Sequence, residues 1–312
     1  MSYTYEFGKF CVSERMKTDF DDNGYVVIRN LLCADEVKKI EETIFEGGLL
    51  KHGYKVSDDT DRPTIIILWQ NPGDDVTGMM ARSEKLVTTA EKLLGVEELY
   101  LFHGKCLLKE PIHGGSVLWH QDYGYWYHDT CLRPDMIAVF VAIDECTQEN
   151  GGLMVLRGSH KCGRIDHQLH GPEAERVVHG PEAERVELLK KSYDLVHIDL
   201  NPGDAIFFHC NLLHKSGHNN SKKRRLAINA SFNEENNRPV NSSTYVDHKK
   251  IKKVPDTAII ECKNYTDFSG RNFMYRGDRI PEDFADKTQN CTSVKESVHG
   301  NVFKCKVGYR TK

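Results

Sequence analysis

The sequence predicts a mainly β fold with flanking helices, a sandwich or barrel of antiparallel strands close to a jelly roll. Three observations predict it. From Glu98 onward, short apolar runs alternate with turn residues, the pattern of a two-layered or closed antiparallel sheet. Ahead of Glu98, apolar residues recur at helical spacing. The composition, 39% hydrophobic and 28% charged over 312 residues, is that of a globular chain with enough interior to shelter a site.

The elements follow in order. Asn23-Gly24 is a turn signal, and the β-branched run Tyr25-Val26-Val27-Ile28 after it reads as a strand. Asp35 to Phe45 places Val37, Ile40 and Ile44 on one helical face. Thr64 to Trp69 is a second β-branched run, and Ala81 to Leu94 sets Leu86, Ala90 and Leu93 on one side of a helix. Residues 1–98 are therefore expected to form an N-terminal helical flank. Seven strands are expected next: Leu99 to Lys109, Ser116 to Asp122, Met136 to Ile143, Leu153 to Leu156, Leu195 to Leu200, Ala205 to His209 and Leu226 to Phe232. They make a β core over 99–245. Gly114-Gly115, Asn150-Gly151-Gly152 and Asn201-Pro202-Gly203-Asp204 supply turns. Between Leu156 and Leu195 the octapeptide His170–Val177 recurs as His179–Val186, read as a local duplication in a tolerant surface loop. Residues 246–312 are polar, basic at first, and expected to be an extension wrapped on the same single domain.

Charge and composition exclude several classes. A net charge of -4 gives no electrostatic reason to bind nucleic acid. No apolar run approaches the about 20 residues of a membrane span, and neither terminus carries a targeting pattern, so a cytoplasmic protein is expected. Ten cysteines with no CxxC pair read as reduced thiols and argue against a structural zinc site. Cys210, close in sequence to the site described next, reads as a small buried hydrophobe. The oligomeric state is left open.

The chemistry concentrates in two segments. Trp119-His120-Gln121-Asp122 sets an imidazole and a carboxylate two apart on an expected strand, so both leave one face. His214 follows the strand that starts at Ala205. Two histidines and one carboxylate on one face of an octahedron leave three positions open, as non-haem iron(II) requires to take a chelating keto acid and O2; the trio alone is compatible with other metals. Arg225 stands eleven residues beyond His214 at the start of the next strand. Its planar fork suits the distal carboxylate of 2-oxoglutarate, and Ser216 could add a hydroxyl. Arg224 goes to the opposite face by alternation. After Asp122 come Tyr123, Tyr125 and Trp126, expected as the wall of a substrate pocket that could face a cationic or planar molecule.

The motifs Trp119–Asp122, Asn150-Gly151-Gly152 through Gly158-Ser159-His160-Lys161, and Gly203-Asp204 through His214 to Arg225 together resemble the phytanoyl-CoA dioxygenase family, from about Asp19 to Phe232. The resemblance implies a double-stranded β-helix, iron(II) and 2-oxoglutarate with O2, metal ligation by His120, Asp122 and His214, and a keto-acid role for Arg225. By position it implies that Lys105 and Phe140 also line the keto-acid pocket, where the family commonly has Met and Trp. Arg157 stands where the family usually has Pro. The stretch after Asp122 is similar to that of ectoine hydroxylases. The expected activity is hydroxylation of a C–H bond of a small molecule with release of succinate and CO2. The alternatives are an acyl-CoA 2-hydroxylase, whose phosphates would need the basic runs 222–225 and 249–253, and a non-catalytic binding protein on the same fold.

Overall fold

The computed structural model describes residues 1–170, 178–240, 248–275 and 278–280. The strands are β1 (Ser2–Thr4), β2 (Tyr25–Arg29), β3 (Tyr54–Ser57), β4 (Pro63–Gln70), β5 (Leu99–Lys109) and β6 (Val117–His120). They continue with β7 (Met136–Ala142), β8 (Leu153–Leu156), β9 (Gln168–His170), β10 (Val178–Gly180) and β11 (Leu195–Ile198). Then come β12 (Ala205–His209), β13 (His214–Ser216), β14 (Arg225–Glu234), β15 (Asn272–Met274) and β16 (Asp278–Arg279). The helices are α1 (Glu14–Asn23), α2 (Ala34–Phe45), α3 (Val76–Arg82), α4 (Glu84–Leu94), α5 (Asp122–Trp126), α6 (Ala183–Ser192) and α7 (Ala258–Glu261).

Ten strands form one large sheet in the order β1-β2-β12-β7-β14-β5-β4-β3-β16, with β15 on β4; β11-β8-β13-β6 form a second. Apart from the parallel pair β1–β2, neighbours run antiparallel. Alternation sorts the large sheet's side chains. Val139, Val141, Phe207, Leu226 and Ile228 share a core with Phe20, Ile40, Ile44 and Leu86 of the helices. Ala138, Phe140, Ile206, Phe208 and Ala227, on the other face, share one with Leu153 and Val155 of the second sheet. Because both faces of β7 are covered, all seven of its residues are buried, and it reads as an unbroken apolar run. Two facing antiparallel sheets with helices packed outside form the double-stranded β-helix.

Several expectations change in detail. The strand expected over Ser116 to Asp122 stops at His120; Gln121 remains extended (φ -106°, ψ 136°) and Asp122 opens α5. One extended intervening residue is enough to keep His120 and Asp122 on the same side. The helix expected over Ala81 to Leu94 is two helices, broken at Ser83 (ψ 143°). Ser83 leaves the helix because it bridges Val254, while its hydroxyl donates to the Met80 carbonyl at 2.8 Å. The eighth strand of the core, β13, was not among the expected seven: three residues, His-Lys-Ser, carry no apolar alternation. The segment before Leu99 supplies four strands, β1–β4, to the large sheet as well as helices, and the extension returns to it through β15 and β16. The first copy of the octapeptide repeat lies almost wholly outside the described residues; the second runs from the end of β10 into α6. No helix among the described residues is long and apolar enough to cross a membrane. All described cysteines are free thiols.

The loop from β3 to β4 is pinned to the second sheet by Asp58. Its carboxylate accepts from the backbone N–H of Ser116 (2.7 Å), Thr60 (2.9 Å) and Arg62 (3.1 Å) and from His218 Nε2 (2.7 Å). Burial pushes this carboxyl up, but the donors from Ser116, Thr60 and Arg62, Ser116 foremost, hold it well below its ordinary value. A depressed carboxylate contributes stability that is complete above its unfolded pKa of about 3.9 and is lost as pH falls. Asp58→Asn is thus expected to lower the melting temperature at about pH 7 by a few degrees, by an amount that shrinks progressively as pH falls below about 4. Thermal unfolding of both proteins across that range checks it.

Candidate metal and keto-acid site

The two histidine candidates face each other across the edge of the second sheet, since His214 of β13 is the register partner of His120 of β6. Each ring is oriented by the carbonyl two residues before it. His120 Nδ1–H donates to Leu118 (2.8 Å) and His214 Nδ1–H donates to Leu212 (2.9 Å). Both tautomers are thereby fixed with Nε2 unprotonated and available to a metal. The ring centroids are 4.1 Å apart. Burial lowers both imidazole pKa values, for His120 reinforced by His214, so both rings are neutral at physiological pH. Asp122 completes the group: a ligand atom from each of the three lies within 4.8 Å of the others. Its Oδ2 is buried with no hydrogen-bond partner. A buried carboxylate oxygen left unmatched beside two unprotonated imidazole nitrogens is the donor set a divalent cation satisfies.

Parity at the start of β14 separates two consecutive arginines. Arg224, on the outer face, is matched by Asp144 through two contacts of 2.8 Å and by Glu41 at 2.5 Å. Arg225, on the inner face, is 2% exposed, and its Nε has no hydrogen-bond partner. Its register partner on β5 is Lys109, which is 0% exposed and donates to Ser216 Oγ (2.7 Å) and the Gly217 carbonyl (2.5 Å). Burial and then the neighbouring Arg225 charge push the Lys109 ammonium well down. Two buried basic side chains and a hydroxyl therefore converge with no carboxylate in their described hydrogen bonds. Such a group suits an anion, and a dianionic ligand would relieve it. Gly151 permits its floor: φ is 83°, and a Cβ there would stand 2.6 Å from the Gly217 carbonyl and 3.1 Å from Lys109 Cδ.

The remaining candidates lie on the same inner face. Phe140 shares a row with Asn229 and Ile206, and the Arg225 guanidinium carbon is 5.8 Å from its ring centroid. Lys105, opposite Asn229, lowers the pKa of both imidazoles by its charge; Lys109, four residues on, is the lysine in contact with Ser216. The Tyr125 ring lies 5.5 Å from that of His120. Trp126 is buried against Phe102 and His103, at 5.4 and 5.5 Å. Tyr123 donates its hydroxyl to the Cys131 carbonyl at 3.0 Å, and burial pushes its phenol up to about 12. Cys210 is a buried thiol bonded to the Pro134 carbonyl at 3.2 Å, held protonated by burial and by Asp122; it is a packing residue as expected.

Sequence reasoning missed Lys109, Asn229 and Ser231. Asn229 Oδ1 and Ser231 Oγ are buried without a hydrogen-bond partner, on the strand face that carries Arg225. The available signal was period two along Arg225-Leu-Ala-Ile-Asn229-Ala-Ser231, which writes polar residues at inward positions of a buried strand.

Comparison with known proteins places these motifs. The phytanoyl-CoA dioxygenase (PhyH) family profile matches residues 20–227. The L-proline trans-4-hydroxylase of Streptomyces griseoviridis is 24% identical over 235 residues, covering 72% of this chain and 87% of that protein. The ectoine dioxygenase of Sphingopyxis alaskensis is 29% identical over 225 residues, covering 67% and 71%. The crystal structure of EctD from S. alaskensis with 2-oxoglutarate and 5-hydroxyectoine superposes with a TM-score of 0.63 at 22% identity, over 81% of this chain and 90% of that one. That likeness extends the double-stranded β-helix to most of the molecule. With its sheets, its His-Asp-His cluster and a profile match over two thirds of its length, the chain belongs to the phytanoyl-CoA dioxygenase family.

Proposed function

We propose that the protein is an iron(II)- and 2-oxoglutarate-dependent dioxygenase, one oxygenase domain, that hydroxylates a C–H bond of a small polar molecule and releases succinate and CO2. The observation that carries the reading is the contrast between Arg224, matched by two carboxylates, and Arg225, buried beside Lys109 without an ion pair to a carboxylate among the described residues. His120, Asp122 and His214 would hold the metal, while Arg225, Lys109 and Ser216 hold the far carboxylate of the keto acid and Phe140 packs on the guanidinium. Held there, iron(II) and 2-oxoglutarate would supply the activation of O2 for the hydroxylation. The chain's own task is to orient both carboxylates, keep the two imidazoles neutral and exclude water.

The relatives acting on proline and ectoine support a small polar substrate. So do Asn229 Oδ1 and Ser231 Oγ, which offer buried acceptors to a substrate N–H or O–H, with Tyr125 and Trp126 as the aromatic wall. An acyl-CoA is less well served. Lys223 pairs with Glu145, Arg224 with Asp144 and Glu41, Lys250 with Glu98, and Lys253 with Glu91, so half of the eight basic side chains in the runs that would meet its phosphates are already paired with carboxylates.

Succinate release measured against amino acids, betaines, amines and acyl-CoAs tests the reading; turnover is expected among the small polar compounds. Succinate formed with acyl-CoAs alone would overturn the substrate class. With the substrate in hand, Asn229→Ala is expected to raise its KM about tenfold, the worth of one buried hydrogen bond, and to leave the KM for 2-oxoglutarate unchanged. Steady-state kinetics varying each substrate in turn separates the two.

A further inference from the structure

The turn that joins two of the metal candidates is braced from outside the sheets. Gln121 lies between His120 and Asp122, and all of its polar groups are engaged. Its side-chain Nε2 donates to the carbonyls of Gly163 (2.8 Å) and Asn211 (2.7 Å), and its Oε1 accepts from Ile165 N–H (2.7 Å). Its carbonyl accepts from Gly124 N–H at 3.0 Å. Its backbone N–H donates to His167 Nε2 at 2.8 Å. The His167 ring is fixed in its turn. Nδ1–H donates to the Ile165 carbonyl at 2.8 Å, which leaves Nε2 as the acceptor, and the Tyr125 ring meets it edge-on at 5.3 Å. Gly124 is required beneath it, since a Cβ there would sit 2.2 Å from the ring.

The same segment reaches the other ligand strand. Ser159 Oγ accepts from the N–H of Leu213 at 2.9 Å, directly before His214. Residues 159–167 thus hold the backbone next to all three ligand candidates, while none of them belongs to the ligand cluster itself.

We propose that His167 is a positioning residue for the metal site: by accepting the Gln121 N–H it fixes the turn that presents His120 and Asp122 to one ion. The proposal rests on the metal-site reading above. Without an acceptor, that N–H is buried and unmatched, a cost of about 1–3 kcal/mol that the turn relieves by moving, and ligand geometry tolerates only about 0.5 Å of movement. Loss of partners behind a metal's ligands typically lowers affinity about 10–100-fold.

Cobalt(II) titration of the full-length apoprotein, followed by its d–d spectrum, tests this without turnover. His167→Phe keeps the ring and removes the acceptor; it is expected to weaken cobalt binding about tenfold or more and to alter the spectrum. His167→Gln, which can present a carbonyl oxygen to the same N–H, is expected to recover most of the affinity. His167→Ala carries the expectation of the Phe variant if the latter does not fold. Thermal unfolding of the apoproteins separates lost ligand geometry from lost fold, because a purely structural role predicts a lower melting temperature with the cobalt spectrum of the folded fraction unchanged. Wild-type affinity and spectrum in both His167→Phe and His167→Ala, or no recovery in His167→Gln, would overturn the proposal. Cobalt binding by Asp122→Ala as tight as by wild type would instead overturn the metal-site reading, and the brace with it.

Discussion

Asp122→Ala is expected to abolish turnover and to weaken metal binding by more than the about 100-fold that loss of an outer partner costs, while the apoprotein remains folded. The second half follows from the structure. Asp122 Oδ2 has no hydrogen-bond partner, and the His120 ring is 3.8 Å from the other oxygen and neutral at physiological pH, so in the metal-free protein the carboxylate is a buried charge with little to match it. Removing it should leave the melting temperature of the apoprotein unchanged or raise it. Loss of activity together with unfolding would mean that Asp122 serves the fold, and full activity would remove it from the ligand set. Differential scanning calorimetry of the apoprotein alongside succinate release distinguishes these outcomes.

Arg225→Gln is expected to raise the dissociation constant for 2-oxoglutarate about 100-fold or more, as truncation of one partner in a buried, hydrogen-bonded charge pair does. Arg224→Ala is the informative control. It breaks the contacts with Asp144 and Glu41, both partly exposed, should cost about 1–2 kcal/mol of stability, and should leave 2-oxoglutarate affinity near that of wild type. Neighbouring arginines of equal charge would then differ wholly in which face of β14 they leave from. Isothermal titration of 2-oxoglutarate into each variant loaded with a redox-inert divalent metal measures it. Equal affinity in wild type and Arg225→Gln would place the keto acid elsewhere.

Local patterns made much of this legible in the sequence. His120 and Asp122 could be paired because one extended residue between them keeps their side chains together, even though the strand ends earlier than the pattern suggested. Arg225 could be separated from Arg224 by parity alone. What stayed hidden depends on partners remote in the chain. Lys109 ends a strand and reads as a surface residue until Arg225 and Ser216 arrive beside it. β13 has no apolar period because its two buried side chains, His214 and Ser216, are polar members of the candidate site. The break at Ser83 is imposed by Val254, far along the chain. His167 carries no motif that announces it, since what it holds is a backbone N–H of Gln121, 46 residues away.

One protein site is expected to join iron(II) to 2-oxoglutarate. Anaerobic addition of both to the wild-type protein, followed by visible absorption, tests it most directly. A weak charge-transfer band that saturates with stoichiometric iron is expected, absent in Asp122→Ala and reached in Arg225→Gln only at far higher 2-oxoglutarate. No band in the wild-type protein at saturating iron and keto acid would mean that the two do not meet in this site.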